Sequence, residues 1–444
     1  DASPPTALPS PDASHADAAV RDTPLARRLS ALADSLASRM ASVRGLSVRR
    51  PIERGVMSRE AIVERLRGRT REEYPPGELE LEGEALKRLG LIPAALDYER
   101  TMFDLLEEQV LGFYDPSEHR LYIADWVPTE IQAQTMAHEL THALQDQHYD
   151  IARFTHHERG RGDAQLAAMS VVEGDATAAM FDFALAPSGR TVLDLPDVTR
   201  NAGSAATSDQ PRLAAAPRAL RESLLFPYTA GFRLCVERMR AGGHAAVDAL
   251  LAEPPASSEQ VLHADKLAAR EAPVAVPASV PSSLEQDYEL AWHDVMGEFG
   301  VRLVLGEALP EARSNAGAQG WGGDRAVLLV PRGSATARPD GGVTLGERCL
   351  ADAVFVWTVT MDAGSPRDEG EALELSGMLG AVLARRYPRA APLRAPGVTT
   401  ARESEGGHVS FVATRGRTVV YVDRAPTARA EALARAVLPE VMRR

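Results

Sequence analysis

The sequence predicts an α+β protein, in which a mainly helical first domain with a short edge sheet is followed by a small α+β C-terminal domain. Three observations carry this. Apolar residues recur at helical spacing through much of the first 310 residues. One segment there, "VLGFYDPSEHRLYIAD", instead has β-prone runs on either side of a turn-forming "DPSEH". Beyond the glycine-rich "NAGAQGWGGDR", β-prone runs mix with two helical segments. The 444 residues also exceed what one hydrophobic core usually serves. The expected division is a tether over 1–20, a first domain over 21–310 and a C-terminal domain of unassigned role over 311–444.

In chain order, Leu25, Leu29, Leu32, Leu36 and Met40 put an apolar stripe on a helix from about 25 to 43. Helices follow at 58–73, at 78–89 before Gly90, and at 97–109, and then comes the hairpin. Pro128 and Thr129 open the next helix, with Ile131, Ala133, Met136, Ala137, Leu140, Ala143 and Leu144 along one side. Asp163 reads as the N-cap of a second strong helix reaching about Leu185. Residues 187–216 lack periodicity and read as a loop or lid, helices return over 217–252, and the prolines of "EAPVAVPASVPSS" (271–283) impose an extended connector. In the C-terminal domain, strands "AVLLVP", "ADAVFVWTVTM", "HVSFVAT" and "TVVYVD" mix with helices at 370–387 and 427–441, and no internal repeat is visible.

A net charge of -13 with no large basic block argues against nucleic acid and anionic membrane surfaces as partners. Cys235 and Cys349, the only cysteines, are too few for a disulfide framework or a thiolate metal site, and leave open a single bridge between them. No apolar run approaches the roughly 20 residues a transmembrane helix needs. The chain begins "DASPPTALPSPDASHADAA", a tract that cannot form a core and resembles the tether after a removed export signal, so an extracytoplasmic location is expected.

The chemistry concentrates in "MAHELTHALQDQH", Met136 to His148. On a helix, positions i and i+4 lie about 40° apart, so His138 and His142 share a face and can hold one cation together. Glu139 stands beside them. One zinc ion with three protein ligands lowers the pKa of its water towards ~7, and a neighbouring carboxylate then takes the proton.

Two places offer the third ligand. His148 follows His142 at the spacing of the metzincin pattern HExxHxxGxxH, but Gln145 stands where that pattern has glycine. A continued helix would turn His148 about 240° away from His142. The other source is "SVVEGDATAAM" on the helix after Asp163, where Glu173 falls on an apolar stripe of Met169, Val172, Ala176, Met180 and Phe183. A carboxylate aimed into a core needs compensation, which zinc between two packed helices supplies; a buried salt bridge to an arginine is the bland alternative. Asp175, about 200° from Glu173, is expected to face solvent. Gly174 is a weak choice inside a helix unless another backbone, most naturally the HELTH helix, passes close by.

An HExxH helix followed by a glutamate on a second helix resembles the gluzincin group of zinc metallopeptidases. The wider order "EQVLGFYDP", "LYIAD", "AHELTHALQDQH", "VVEGDAT", "FPYTAGF", "SSEQVLH" and "GWGGDR" looks like a little-characterised family of bacterial and archaeal proteins identified as metallopeptidases, over most of residues 80–330. The resemblance implies a zincin-like first domain, one Zn2+ held by His138, His142 and Glu173, and Glu139 as general base acting on a peptide or protein substrate. It also implies that the 110–124 hairpin presents a substrate edge, the strand just before the helix running along the cleft. Where thermolysin-like relatives carry a buttressing aspartate for a zinc-bound histidine, this chain has Thr177, and Asp146 is one substitute. Tyr228 and His263 are candidate oxyanion donors, although a packed aromatic and a helix-end histidine are the readings that come first. "WGGDR" reads as a tight turn, with Arg325 pairing either a peptide terminus or a carboxylate of the protein.

The sequence therefore leads to an exported zinc metallopeptidase. The rival expectations are a zinc hydrolase of a non-peptide bond and a catalytically inactive zincin-fold binding protein.

Overall fold

A computed structural model describes residues 23–195, 210–337, 343–362, 368–388, 398–404 and 407–440. The expected tether and the middle of the 187–216 loop lie outside the described residues. Helices and three sheets, of three, six and two strands, give the α+β class. The chain packs as two units, one of residues 1–70, 109–153 and 175–196, the other of 71–108, 154–174 and 197–444. No helix among the described residues is long and apolar enough to cross a membrane.

The first unit is built on two helices, α1 (Pro24–Arg44) and α5 (Thr129–Tyr149). Thr23 caps α1, its hydroxyl accepting from Ala26 N at 3.0 Å, and Gly45 ends it with φ 77°. The buried stripe of α1 is Ala26, Leu29, Ala33, Leu36 and Met40, while Leu25 of the expected stripe is exposed. It packs into a core with Met136, Ala137, Leu140, Ala143 and Leu144 of α5, and Ile131 stays exposed at the start of that helix.

Beside them lies a sheet of order β1-β3-β2, made by β1 (Glu53–Met57), β2 (Gly112–Asp115) and β3 (Arg120–Ala124). β2 and β3 form the expected hairpin, with Phe113 opposite Tyr122. Its turn is closed by Asp115, whose Oδ1 accepts from Ser117 N at 3.0 Å. β1, unread in the sequence because "ERGVM" has neither alternation nor a β-prone run, pairs parallel with β3. This corrects one expectation: β3, the strand just before the helix, is paired on both sides and has no edge to offer, and the hairpin's edge is β2.

In the second unit, α2 (Arg59–Glu73) leads from the first unit into α3 (Glu78–Leu89) and α4 (Tyr98–Gln109). The long α6 (Gly162–Leu185) crosses the division between Gly174 and Asp175. The start of α6 corrects another expectation. Asp163 lies in its first turn instead of capping it, and accepts from Ser258 N at 3.1 Å. The carboxylate that meets the first turn is distant in sequence: Asp294 Oδ1 accepts from Gly162 N at 2.8 Å.

Further on, α7 (Arg218–Phe226) passes through a π turn at Pro227–Gly231 into α8 (Phe232–Ala252). An all-antiparallel sheet of order β4-β5-β8-β11-β10-β9 then follows. Its strands are β4 (Tyr288–Asp294), β5 (Trp321–Pro331), β8 (Val354–Met361), β9 (Val398–Ser404), β10 (His408–Arg415) and β11 (Thr418–Pro426), with the β6–β7 ribbon (Ala335–Ala337, Val343–Leu345) between. The four strands read from the sequence are all present, and β4 joins them from ahead of residue 310.

"WGGDR" is the start of β5, not a tight turn. Its glycines serve close approach: a Cβ on Gly323 would sit 2.2 Å from Val274 O of the extended 271–281 segment. Arg325 donates to Val276 O and Gly160 O and lies 3.3 Å from His293 Nδ1, and among the described residues no carboxylate pairs with it. The thiols of Cys235 and Cys349 are separate and buried.

Candidate metal centre

The helix that carries HELTH runs unbroken from Thr129 to Tyr149, so Gln145 causes no turn-out of the chain. His148 consequently points elsewhere, its Nε2 2.8 Å from Ser47 O. His138 and His142, one turn apart, bring their Nε2 atoms to 3.0 Å, with the rings edge to face at 87°. Two nitrogens on one tetrahedral zinc, each bonded at ~2.0–2.1 Å, would lie about 3.3 Å apart, so the two rings stand near enough to hold one ion between them, at a spacing that also suits a hydrogen bond from one ring to the other.

Glu173 completes the group. One donor atom from each of His138, His142 and Glu173 lies within 4.8 Å of the others, and this is the one cluster of its kind among the described residues. Glu173 and His138 are half-buried and His142 is buried. Two imidazole nitrogens and a carboxylate are a donor set suited to zinc, and three of them leave a fourth position for water.

The turn of α6 around Glu173 is held by bare backbone. A Cβ on Gly174 would lie 2.2 Å from Gly231 C, and one on Gly231 would lie 1.9 Å from Ser170 O. Gly174 thus does serve a close approach, but against the π turn at Pro227–Gly231 instead of the HELTH helix as expected. Pro227 lacks the N–H for a regular helical bond, and the wider π turn brings Gly231 against α6.

Asp175 is the largest departure from expectation. It is fully buried, with Oδ1 accepting from Arg44 Nε at 2.6 Å and Oδ2 accepting from Gln145 Nε2 at 2.7 Å. Residues 174–179 of α6 are all buried, so this stretch has no solvent face on which an aspartate could rest. Gln145 in turn places its Oε1 2.9 Å from His142 Nδ1. The side chain that braces His142 is therefore Gln145, the residue that breaks the metzincin pattern.

Asp146 does not take that role. Its Oδ2 accepts from Arg50 Nη2 at 2.7 Å and from the Tyr114 hydroxyl at 2.8 Å, and lies 2.7 Å from His119 Nδ1, tying the hairpin to α5. Glu139 also meets the hairpin, where Tyr114 N donates to its Oε2 at 2.8 Å. A small cavity lined by Gly112, Ile123, Thr135, Met136 and Glu139 opens beside this contact.

Of the two expected oxyanion donors, Tyr228 lies on the π turn and is 38% exposed. His263 Nε2 lies 3.0 Å from Glu298 Oε1, a hydrogen bond that raises the imidazole's pKa. Comparison with protein-family models, curated proteins and solved structures finds no match for this chain.

Proposed function

We propose that the chain is a zinc metallopeptidase of the gluzincin type, with His138, His142 and Glu173 as ligands of one Zn2+ and Glu139 as general base. The observation that carries this reading is the convergence of those three donor sets within 4.8 Å, on an HExxH helix and a later one. A zinc ion there supplies an acidified water and a Lewis acid for a carbonyl oxygen.

The protein's own residues account for the rest. Glu139 follows His138 directly on α5, and the Tyr114 amide holds one of its carboxylate oxygens. In the reading advanced here it takes a proton from the attacking water and returns it to the leaving amine. β2, the edge of the three-stranded sheet that meets Glu139, is the strand along which a peptide backbone would pair.

The test is hydrolysis of unstructured protein, such as casein, and of quenched fluorescent peptides by the full chain. Activity should vanish on chelation, return with zinc and fall sharply in Glu139→Gln. A zinc-loaded wild type that cleaves ester or amide probes but no peptide would move the reading to a hydrolase of another bond.

A further inference from the structure

We propose that Gln145, backed by Asp175 and Arg44, is a positioning residue that fixes the His142 ring as its Nδ1–H tautomer, which presents Nε2 for metal. The metal-binding part rests on the zinc reading above; the hydrogen-bond relay itself does not.

The relay runs inward from Arg44. This guanidinium is fully buried and its Nε donates to Asp175 Oδ1, so Asp175 stands as a carboxylate that accepts at both oxygens. A carboxylate facing the Gln145 amide at 2.7 Å fixes which way that amide points: its NH2 must be the end towards Asp175. The amide oxygen is then the end 2.9 Å from His142 Nδ1. An oxygen there can only accept, so Nδ1 carries the proton, and in a neutral ring the lone pair falls on Nε2.

That is the nitrogen 3.0 Å from His138 Nε2. Each link allows one polarity, and the sequence of polarities starts from a cation with no acceptor capacity. Histidines that bind metal commonly have their other nitrogen fixed by a carboxylate or carbonyl. Here a side-chain amide from the next turn of the same helix does so, with its own orientation set by an ion pair. All four residues belong to the first unit.

The test inverts the polarity while keeping the shape. In Asp175→Asn, the Asn amide can turn its NH2 towards Gln145, which then flips and offers its own NH2 to His142 Nδ1. Adding Gln145→Glu to Asp175→Asn puts a carboxylate between two donors and restores an acceptor at Nδ1. Metal-free, 15N-labelled full chain is read by the two-bond nitrogen–proton pattern of the His142 ring, and zinc affinity by competition with a chromophoric chelator.

The expected results are Nδ1–H in wild type, a shift to Nε2–H in Asp175→Asn with zinc bound about 10- to 100-fold more weakly, and recovery of both in the double variant. A role in packing alone predicts no tautomer change. Nε2–H in wild type, or a folded Asp175→Asn with unchanged tautomer and affinity, would overturn the proposal. Should Asp175→Asn not fold, Gln145→Leu, which offers His142 Nδ1 no acceptor, decides by the same reading: loss of the Nδ1–H preference is expected, and its full retention would overturn the proposal. A wild type with Nδ1–H that binds no zinc keeps the relay and defeats the zinc reading, so the two fail separately.

Discussion

The backbone N–H of Tyr114, on the edge strand β2, donates to Glu139 Oε2 at 2.8 Å. The proposed base is thus held by the strand along which a substrate would pair. A glutamine at this position keeps an oxygen for the Tyr114 amide but cannot take a proton. Glu139→Gln should therefore retain zinc and melting temperature while hydrolysis falls by about 10²–10⁴-fold, the usual scale for general-base catalysis. Steady-state kinetics on metal-verified protein checks this, and loss of zinc along with activity would make Glu139 structural.

The Gly174–Gly231 crossing makes a second prediction. A methyl at Gly174 would press on backbone, which cannot rotate away. Gly174→Ala should cost about 1–3 kcal/mol as overpacking and weaken zinc binding through displacement of Glu173. Gly68→Ala, on α2 with nothing within 4 Å of the added Cβ, should instead be neutral or stabilising by up to about 1 kcal/mol. Chemical denaturation of both variants reads the contrast, and equal effects would mean that the close approach at Gly174 does not matter.

What the sequence made legible follows from locality. His138, His142 and Glu139 share one helix, and Glu173 stood out because a carboxylate interrupted an apolar stripe. The hairpin announced itself through Asp115 and its turn. Asp175 was misread because angular position on a helix locates solvent only if the helix has a solvent face, and this stretch of α6 has none. Gln145 was read against a family pattern as a missing glycine, when its partners lie at Asp175, 30 residues on, and through it at Arg44 on α1. β1 needed a parallel partner about 65 residues away, beyond any local signal.

The second unit should lose stability as pH rises above about 5. Burial pushes Asp294 up to about 6, Glu82 to about 7 and Asp163 to about 8. The folded state therefore holds protons that the unfolded chain releases near pH 4, its ordinary carboxylate range. Their contribution is complete below that pH and declines steadily above it, the decline ending for Asp294 at about 6, for Glu82 at about 7 and for Asp163 at about 8. Asp163→Asn, which keeps an acceptor for Ser258 N, should make the decline shallower throughout and flatten its last step, from about pH 7 to 8, where Asp163 alone of the three still holds its proton. Scanning calorimetry from pH 5 to 9 should show that step as a fall of about 2–4 °C in wild type, the shift that ~1 kcal/mol gives in a large domain. A wild type that gains stability over this range would contradict the burial account.

His138, His142 and Glu173 are proposed to hold one zinc ion. Elemental analysis of protein purified without added metal, for wild type, Glu173→Ala and His148→Ala, tests it most directly. The account predicts about one zinc per chain in wild type and in His148→Ala, as a three-ligand site requires, and its loss in Glu173→Ala. Wild type without zinc, or zinc lost from His148→Ala but kept by Glu173→Ala, would contradict it.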